Sequence, residues 1–150
     1  MTTIFLILFL CYSIFGCVLS LWQVYKKHNF FGLCPVLLPL GAFVWVDGVI
    51  FSVFWIFILG ICLILKSFLL FLLVYSVFWA VRSLGEVIYW IHEQFTTNHR
   101  NPPHTLGIAY KLFPNESVWI AMQIFWQIML VLSILCTIVL GTSIIIGYIG

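Results

Sequence analysis

The chain has 150 residues, of which 65% are hydrophobic, 19% are aromatic and only 7% are charged. Soluble domains are roughly 45–50% apolar and about 25% charged, so 6 basic and 4 acidic side chains are too few to cover a water-facing surface of this size. These figures exclude a soluble globular enzyme, a disordered chain and a nucleic-acid-binding protein, and they leave a polytopic membrane protein.

The first apolar run predicts a transmembrane helix over residues 4–25. A hydrocarbon core about 30 Å thick requires roughly 20 apolar residues in a helix. The run ends at Lys26, Lys27 and His28, and no Lys or Arg precedes it. A secretory signal begins with basic residues and stops at a nearby cleavage site, so this run is interpreted as a retained helix.

Residues 30–41 interrupt the apolar pattern, because Gly32, Pro35, Pro39 and Gly41 follow one another closely. Proline removes a backbone donor and blocks the interior of a helix, so a regular helix is excluded here. The other residues are mostly apolar, which predicts a short interfacial segment that lies at the membrane surface or dips shallowly into it. We interpret it as an apolar connector; the alternative is a re-entrant loop that binds a ligand.

From residue 42 to residue 91 the hydrophobicity hardly falls. About fifty helical residues would form a rod of about 75 Å, far longer than a bilayer is thick. The segment therefore has to fold back, and Lys66 and Ser67 form the polar pair near its middle. It predicts two spans, over residues 43–65 and 68–91, and the second helix is expected to continue to Phe95.

A polar loop is predicted over residues 96–115, followed by a fourth span over residues 117–140 and an apolar tail interrupted by glycines. The predicted fold is therefore all-α. It is a bundle of four transmembrane helices with a short interfacial Pro/Gly segment, in a single domain of residues 1–150.

Basic residues near the predicted helix ends indicate the orientation. Four fall on one side of a four-span chain and one falls on the other: Lys26, Lys27, Arg100 and Lys111 against Lys66. Because cytoplasmic loops carry an excess of Lys and Arg, the loop 96–115 is expected in the cytoplasm and both termini outside it. The membrane expected by default is a bacterial inner membrane, and the alternative is the inner membrane of an organelle.

Six polar side chains on three predicted spans are expected at one level, near the cytoplasmic side. They are Asp47, Arg82, Glu86, Tyr89, Gln123 and Gln127. Arg82 and Glu86 are i,i+4 neighbours and can pair within one helix. A charge in hydrocarbon costs at least about 2.5–3.5 kcal/mol, so the cluster should face other helices or a wet cavity. We favour a structural polar clamp over the alternative, a binding or transport site open to the cytoplasm.

Small residues mark one side of the first predicted span. Ser13, Gly16, Ser20 and Gln23 share this side, and Gly16 and Ser20 form a small-xxx-small pair. Such pairs allow two helix backbones to approach closely in a membrane. This side is therefore predicted to contact another helix.

Three histidines, His92, His99 and His104, are the candidates considered for a metal site. Their spacing is not His-Glu-x-x-His, because Thr96 occupies the position of its second histidine, and the loop has no cysteine for a tetrahedral zinc site. No metal, cofactor or catalytic residue is assigned.

The leading hypothesis for function is a small, non-enzymatic membrane protein that acts through helix–helix contact, as an accessory or assembly subunit or as a self-associating bundle. Its expected partners are the lipid bilayer and other membrane helices, in a homo-oligomer or a larger complex. The first alternative is a small oligomeric channel or transporter with a polar site at Asp47, Arg82 and Glu86. The second is a membrane enzyme that uses the loop from His92 to His104.

Overall fold

The structure, a computed structural model, describes residues 1–97 and 99–149. The fold is 82% helical and the described residues contain no β-strand, which confirms the predicted all-α class. Four of its helices are long and apolar enough to cross a membrane, in agreement with the four predicted spans. The α-helices are α1 (Thr2–Lys27), α2 (Trp45–Ile64), α3 (Phe68–Phe95), α4 (Gly107–Leu112) and α5 (Ser117–Ile149), and 3-10 helices cover Pro35–Leu40 and Pro103–Thr105.

The backbone divides into two compact units, Met1–Leu72 and Leu73–Gly150. The first contains α1, α2 and the 3-10 helix between them, and the second contains most of α3 together with α4 and α5. The single transmembrane domain expected from the sequence stays a prediction.

In the first unit, α1 and α2 pack through small residues, which we call the α1–α2 seam. Helix α1 buries Ser13, Gly16 and Ser20, which confirms that this side contacts another helix. Helix α2 contributes Gly48 and Ser52, which are also buried. A Cβ added at Gly16 would lie 3.0 Å from Ser52 Oγ, and one added at Gly48 would lie 2.2 Å from Ser20 Oγ. The two backbones therefore approach as closely as small residues permit.

The 3-10 helix Pro35–Leu40 packs onto the α1–α2 seam. Its Leu37 and Leu40 are fully buried, and their methyl groups lie 3.0 and 3.1 Å from the position that a Cβ at Gly16 would take. Leu37 also lies 2.9 Å from the corresponding position at Gly48. The apolar residues of this connector thus fill the space that the two glycines leave open.

The 3-10 helix contacts the middle of α1 and of α2 and not their ends. The Tyr12 hydroxyl donates a hydrogen bond to the Val36 carbonyl, and Trp55 Nε1 donates one to the Leu40 carbonyl at 3.2 Å. At about 1.5 Å per residue, Tyr12 is roughly 22 Å from the Lys27 end of α1 and Trp55 is roughly 15 Å from the start of α2. The segment therefore packs along the middle of α1 and α2, and its position relative to the membrane surface stays a prediction.

Buried backbone groups outside regular helices must find their hydrogen-bond partners inside the protein. Besides the bonds from Tyr12 and Trp55, the Cys34 amide donates to the Phe43 carbonyl at 2.9 Å and the Cys34 thiol donates to the Ala42 carbonyl at 3.7 Å. Burial, and to a lesser extent the Asp47 carboxylate, raises the pKa of the Cys34 thiol to about 11, so the thiol keeps the proton that it donates.

The chain reverses between α2 and α3 at the predicted polar pair. Lys66 has a left-handed backbone, with φ of 50°. Its amide donates to the Leu63 carbonyl, and the Ser67 amide donates to the Cys62 carbonyl, at 3.2 and 3.1 Å. This pattern is a Schellman motif, which ends a helix. Because Ser67 Oγ accepts a bond from the Leu70 amide at 3.2 Å, the same residue also caps the start of α3.

In the second unit, α3 and α5 run antiparallel and contact each other through large or polar side chains. Thr137 donates a hydrogen bond to Ser76 at 3.0 Å, and the rings of Trp79 and Trp126 stack with centroids 6.5 Å apart. Helix α5 buries Trp119, Trp126 and Ser133 at seven-residue intervals, as expected for one continuous contact side.

Helix α5 continues to Ile149, nine residues beyond the predicted end of the fourth span at residue 140. Gly141 and Gly147 do not end it. The Thr142 and Ser143 hydroxyls bond back to the carbonyls of Ile138 and Val139, at 2.9 and 2.8 Å. In apolar surroundings a broken helix would leave backbone groups without partners, so the helix persists through its glycines. It is roughly 50 Å long at about 1.5 Å per residue.

Gly48→Leu is expected to lower the free energy of unfolding by about 1–3 kcal/mol, because the larger side chain overpacks the α1–α2 seam. The measurement is detergent-induced unfolding in mixed micelles, followed by tryptophan fluorescence. Gly60→Leu is the matched control on the same helix, since an added Cβ there meets nothing within 4 Å. Equal losses in the two variants would contradict the close approach of α1 and α2.

Candidate functional site

Arg82 and Glu86 form an ion pair on α3. Arg82 Nη2 lies 3.0 Å from Glu86 Oε1, and the two side chains are 19% and 14% exposed. The i,i+4 spacing places them on one side of the helix, as the sequence predicted. Each charge is thereby compensated within the helix that carries it.

The most buried side of α3 is not the side that carries this ion pair. Ser76, Ser83 and Trp90 mark the buried side, which lies about 90° around the helix from the line through Arg82 and Glu86 at about 100° per residue. The Arg82–Glu86 pair therefore lies at the flank of this side and keeps some exposure, whereas Glu93, farther along the same helical line, is buried.

Glu93 organises the polar end of the second unit. Its side chain is only 1% exposed. One carboxylate oxygen accepts a hydrogen bond from the Arg100 amide at 3.1 Å, and the other accepts one from the Asn101 amide at 3.3 Å. A carboxylate near a helix C-terminus is disfavoured by the helix dipole. The two amide donors offset this cost and fix the chain that leaves α3.

The loop that follows is tied to both long helices of the second unit. Asn101 Nδ2 donates a hydrogen bond to the Tyr89 hydroxyl on α3 at 2.5 Å, and Trp119 Nε1 on α5 donates to the Asn101 carbonyl at 3.0 Å. The His99 ring packs on the Trp119 ring, with centroids 4.3 Å apart, and its Nδ1 lies 3.0 Å from the Glu93 carbonyl. Glu93 and Asn101 thus hold the loop between α3 and α5.

The two glutamines predicted on the fourth span have different surroundings. Gln123 accepts a hydrogen bond from Gln94 Nε2 at 2.7 Å. Gln127 is exposed and lies in a shallow apolar groove on α5 with Ile124, Ile128 and Val131. Across residues 1–97 and 99–149, its amide has no hydrogen-bond partner. Gln123 therefore joins the contact between α3 and α5, whereas Gln127, one turn farther along and about 40° around the helix, does not.

Asp47 belongs to the first unit, in the first turn of α2, where its carboxylate suits the positive end of the helix dipole. Arg82, Glu86 and the other residues of the predicted cluster belong to the second unit. The expected joint cluster of Asp47 with Arg82 and Glu86 stays a prediction.

The three histidines considered for a metal site have separate surroundings. His92 is exposed on α3, His104 is exposed on the 3-10 helix Pro103–Thr105, and His99 is half-buried beside Glu93 and Trp119. Within the part of the chain that the structure describes, no group of three or more His, Cys, Asp or Glu residues could hold a metal ion.

Three residues of this region were not assigned from the sequence as members of a site: Glu93, Gln94 and Asn101. The available signal was that Glu93 lies on the same helical line as Arg82 and Glu86 and directly precedes the polar loop. Periodicity alone does not indicate that its carboxylate binds two backbone amides farther along the chain.

No family model matches this chain, and no curated protein or solved structure shows significant similarity to it.

Glu93→Ala is expected to loosen the loop and to speed tryptic cleavage after Arg100 by about tenfold or more. The loss of hydrogen bonds to a charged acceptor costs about 1.5–3 kcal/mol, and local opening becomes correspondingly more frequent. The measurement is the rate of limited proteolysis in detergent. Glu116→Ala is the control, because that side chain is exposed. Equal cleavage rates in the two variants would refute the role of Glu93.

The Arg82–Glu86 pair is tested by Arg82→Ala, Glu86→Ala and the double variant. Each single change removes the ion-pair partner of the other charge on a largely covered helix side, so each is expected to destabilise the fold by about 1–3 kcal/mol. The double variant is expected to be more stable than either single variant in detergent-induced unfolding. Strictly additive losses would show that the two side chains do not act as a pair.

Proposed function

We propose that this chain is a small multi-pass membrane protein of non-enzymatic type that acts through helix–helix contact in the membrane. It would serve as an accessory or assembly subunit of a larger complex, or as a self-associating bundle. The observation that supports this function is the exposed Gln127 amide on α5.

The depth of Gln127 makes its exposure informative. Counted from Ser117, it lies roughly 15 Å along α5, about halfway across a hydrocarbon core of about 30 Å. Lipid tails offer no hydrogen bond to an amide, and polar side chains at this depth characteristically bond to another helix. A second helix against this side of α5 would supply the missing partner.

The burial of the long helices supports the same conclusion. In the most apolar stretch of α5 only 6% of the residues are buried, whereas in that of α2 28% of the residues are buried. An added Cβ at Gly85 or Gly141 would meet nothing within 4 Å, in contrast to the filled positions at Gly16 and Gly48. Lipid can cover such apolar surface, but small residues at open positions also permit close approach of another helix.

A small oligomeric channel or transporter is the second candidate. The observation that favours it is the Arg82–Glu86 pair, whose side chains keep 19% and 14% exposure on a helix long and apolar enough to span a membrane. A polar path would pass this pair and Asp47. The third candidate, an enzyme that uses the loop from His92 to His104, has less support because Glu93 and His99 are engaged in holding the loop.

We propose that the loop 96–115 lies in the cytoplasm and that both termini lie outside it. Lys26 and Lys27 occupy the last turn of α1, and Lys27 Nζ lies 4.1 Å from the centroid of the Trp22 ring. A lysine beside a tryptophan at a helix end is typical of the headgroup region, and the excess of basic residues favours the cytoplasmic side.

The proposed function is tested by extraction from the native membrane in a mild detergent, followed by determination of the mass and composition of the particle. We expect more than one chain per particle in fixed stoichiometry, either several copies of this chain or this chain with other membrane proteins. Gln127→Leu should release a substantial fraction of the chain from the particle. A particle that contains a single copy of this chain and no other protein would refute the proposal.

A further inference from the structure

Building on the proposed function, we infer that the partner of this side of α5 is a second copy of the same chain, joined through reciprocal hydrogen bonds between the two Gln127 amides.

The chemistry of the primary amide favours a second copy. One amide group contains both a donor and an acceptor, so it is complementary to itself. In a twofold-symmetric pair, each NH₂ donates to the carbonyl oxygen of the other copy, and both unpaired groups are satisfied at once. An unrelated partner would have to present a donor and an acceptor at the same depth, which a second copy supplies by symmetry.

The residues around Gln127 have the spacing of a helix–helix contact. Exposed residues recur along α5 at alternating intervals of four and three, and we call them the Gln127 seam. Its members are Ile120, Ile124, Gln127, Val131, Ile134 and Ile138, and the five apolar members are 44–56% exposed. This heptad pattern allows two helices to interlock with a small left-handed crossing angle. The branched side chains are rigid in a helix and lose little freedom on packing.

A single polar residue in such a seam fixes register and orientation. Copies of one chain insert into the membrane with one orientation, so two copies of α5 pair in parallel about an axis along the membrane normal. Gln127 then meets Gln127 at equal depth. A shift along the helix by one heptad would oppose each amide to a branched aliphatic residue and leave both amides without partners.

The Gln127 seam borders the side of α5 that contacts α3. That contact uses Gln123, Trp126 and Thr137; Trp126 and Thr137 lie about 100° around the helix from the neighbouring seam positions, and Gln123 lies at the edge of the seam, about 40° from Gln127. A second copy can therefore pack on the seam while α3 and α5 keep their contact.

The test uses the purified full chain in lipid vesicles, with association measured by energy transfer between two labelled populations as the protein-to-lipid ratio is varied. We expect concentration-dependent self-association of the natural chain. Gln127→Leu keeps the apolar seam and removes the amide, so its dissociation constant should rise by about three- to twentyfold. Val131→Trp should abolish association by blocking the seam. Val139→Trp is the matched control, since Val139 is exposed on another side of α5.

Cross-linking tests the parallel geometry directly. In a background without the native cysteines, Val131→Cys should form a disulfide-linked dimer, and Val139→Cys should form little. Circular dichroism and thermal unfolding of each variant establish that it is folded before association is interpreted. Equal cross-linking at the two positions would overturn the inference.

Three outcomes separate this inference from the proposed function. If the purified chain is monomeric at every ratio, the inference is overturned; the proposed function stands only if the native particle contains other membrane proteins in fixed stoichiometry. If the chain associates but neither Gln127→Leu nor Val131→Trp weakens the association, the inference that the Gln127 seam forms the contact is overturned. The chain then associates through another surface. If the chain is monomeric in vesicles and in the native particle, both are overturned.

Discussion

A polar group inside a membrane has no water to bond, so each one must find its partner in the protein. This constraint accounts for the details of both units. In the first unit, Tyr12 and Trp55 supply donors to the carbonyls of the 3-10 helix Pro35–Leu40. In the second unit, Glu93 binds two backbone amides of the loop, and Arg82 pairs with Glu86 on its own helix. These side chains thus satisfy one another or the backbone.

The two units meet this constraint with different packing. Helices α1 and α2 approach through Gly16 and Gly48, and the space between them is filled by leucines of the connector. Helices α3 and α5 contact through stacked tryptophans and hydrogen-bonded side chains such as Gln94 and Gln123. Small residues maximise dispersion contact between backbones, whereas tryptophans and amides bridge a wider separation and add hydrogen bonds.

The Gln127 amide is exposed on α5 and has no hydrogen-bond partner within residues 1–97 and 99–149. An amide on the exposed side of an apolar helix is costly in lipid and becomes favourable when another helix binds it. The function proposed for this chain, contact with other membrane helices, therefore follows from the same constraint that explains its internal structure. The apolar residues of the Gln127 seam would provide the packing, and the amide would provide the register.

The sequence by itself determined the features that depend on neighbours along the chain. The four spans follow from the length of the apolar runs, the reversal at Lys66 and Ser67 from the polar pair near the middle of a long run, and the Arg82–Glu86 pair from i,i+4 spacing. The side of α1 that packs on α2 followed from its small residues. Each of these is local, because helix geometry alone places the residues concerned.

Only the tertiary structure decided where the 3-10 helix packs, which residues Glu93 binds, and that Gln123 meets a partner while Gln127 does not. These features depend on contacts between elements distant in sequence, and on the rotation of each helix about its axis. A rotation of about 90° separates the Arg82–Glu86 pair of α3 from the side marked by Ser76, Ser83 and Trp90. A hydropathy pattern does not specify such a rotation when nearly every side of a helix is apolar, because lipid and protein then accept the same side chains.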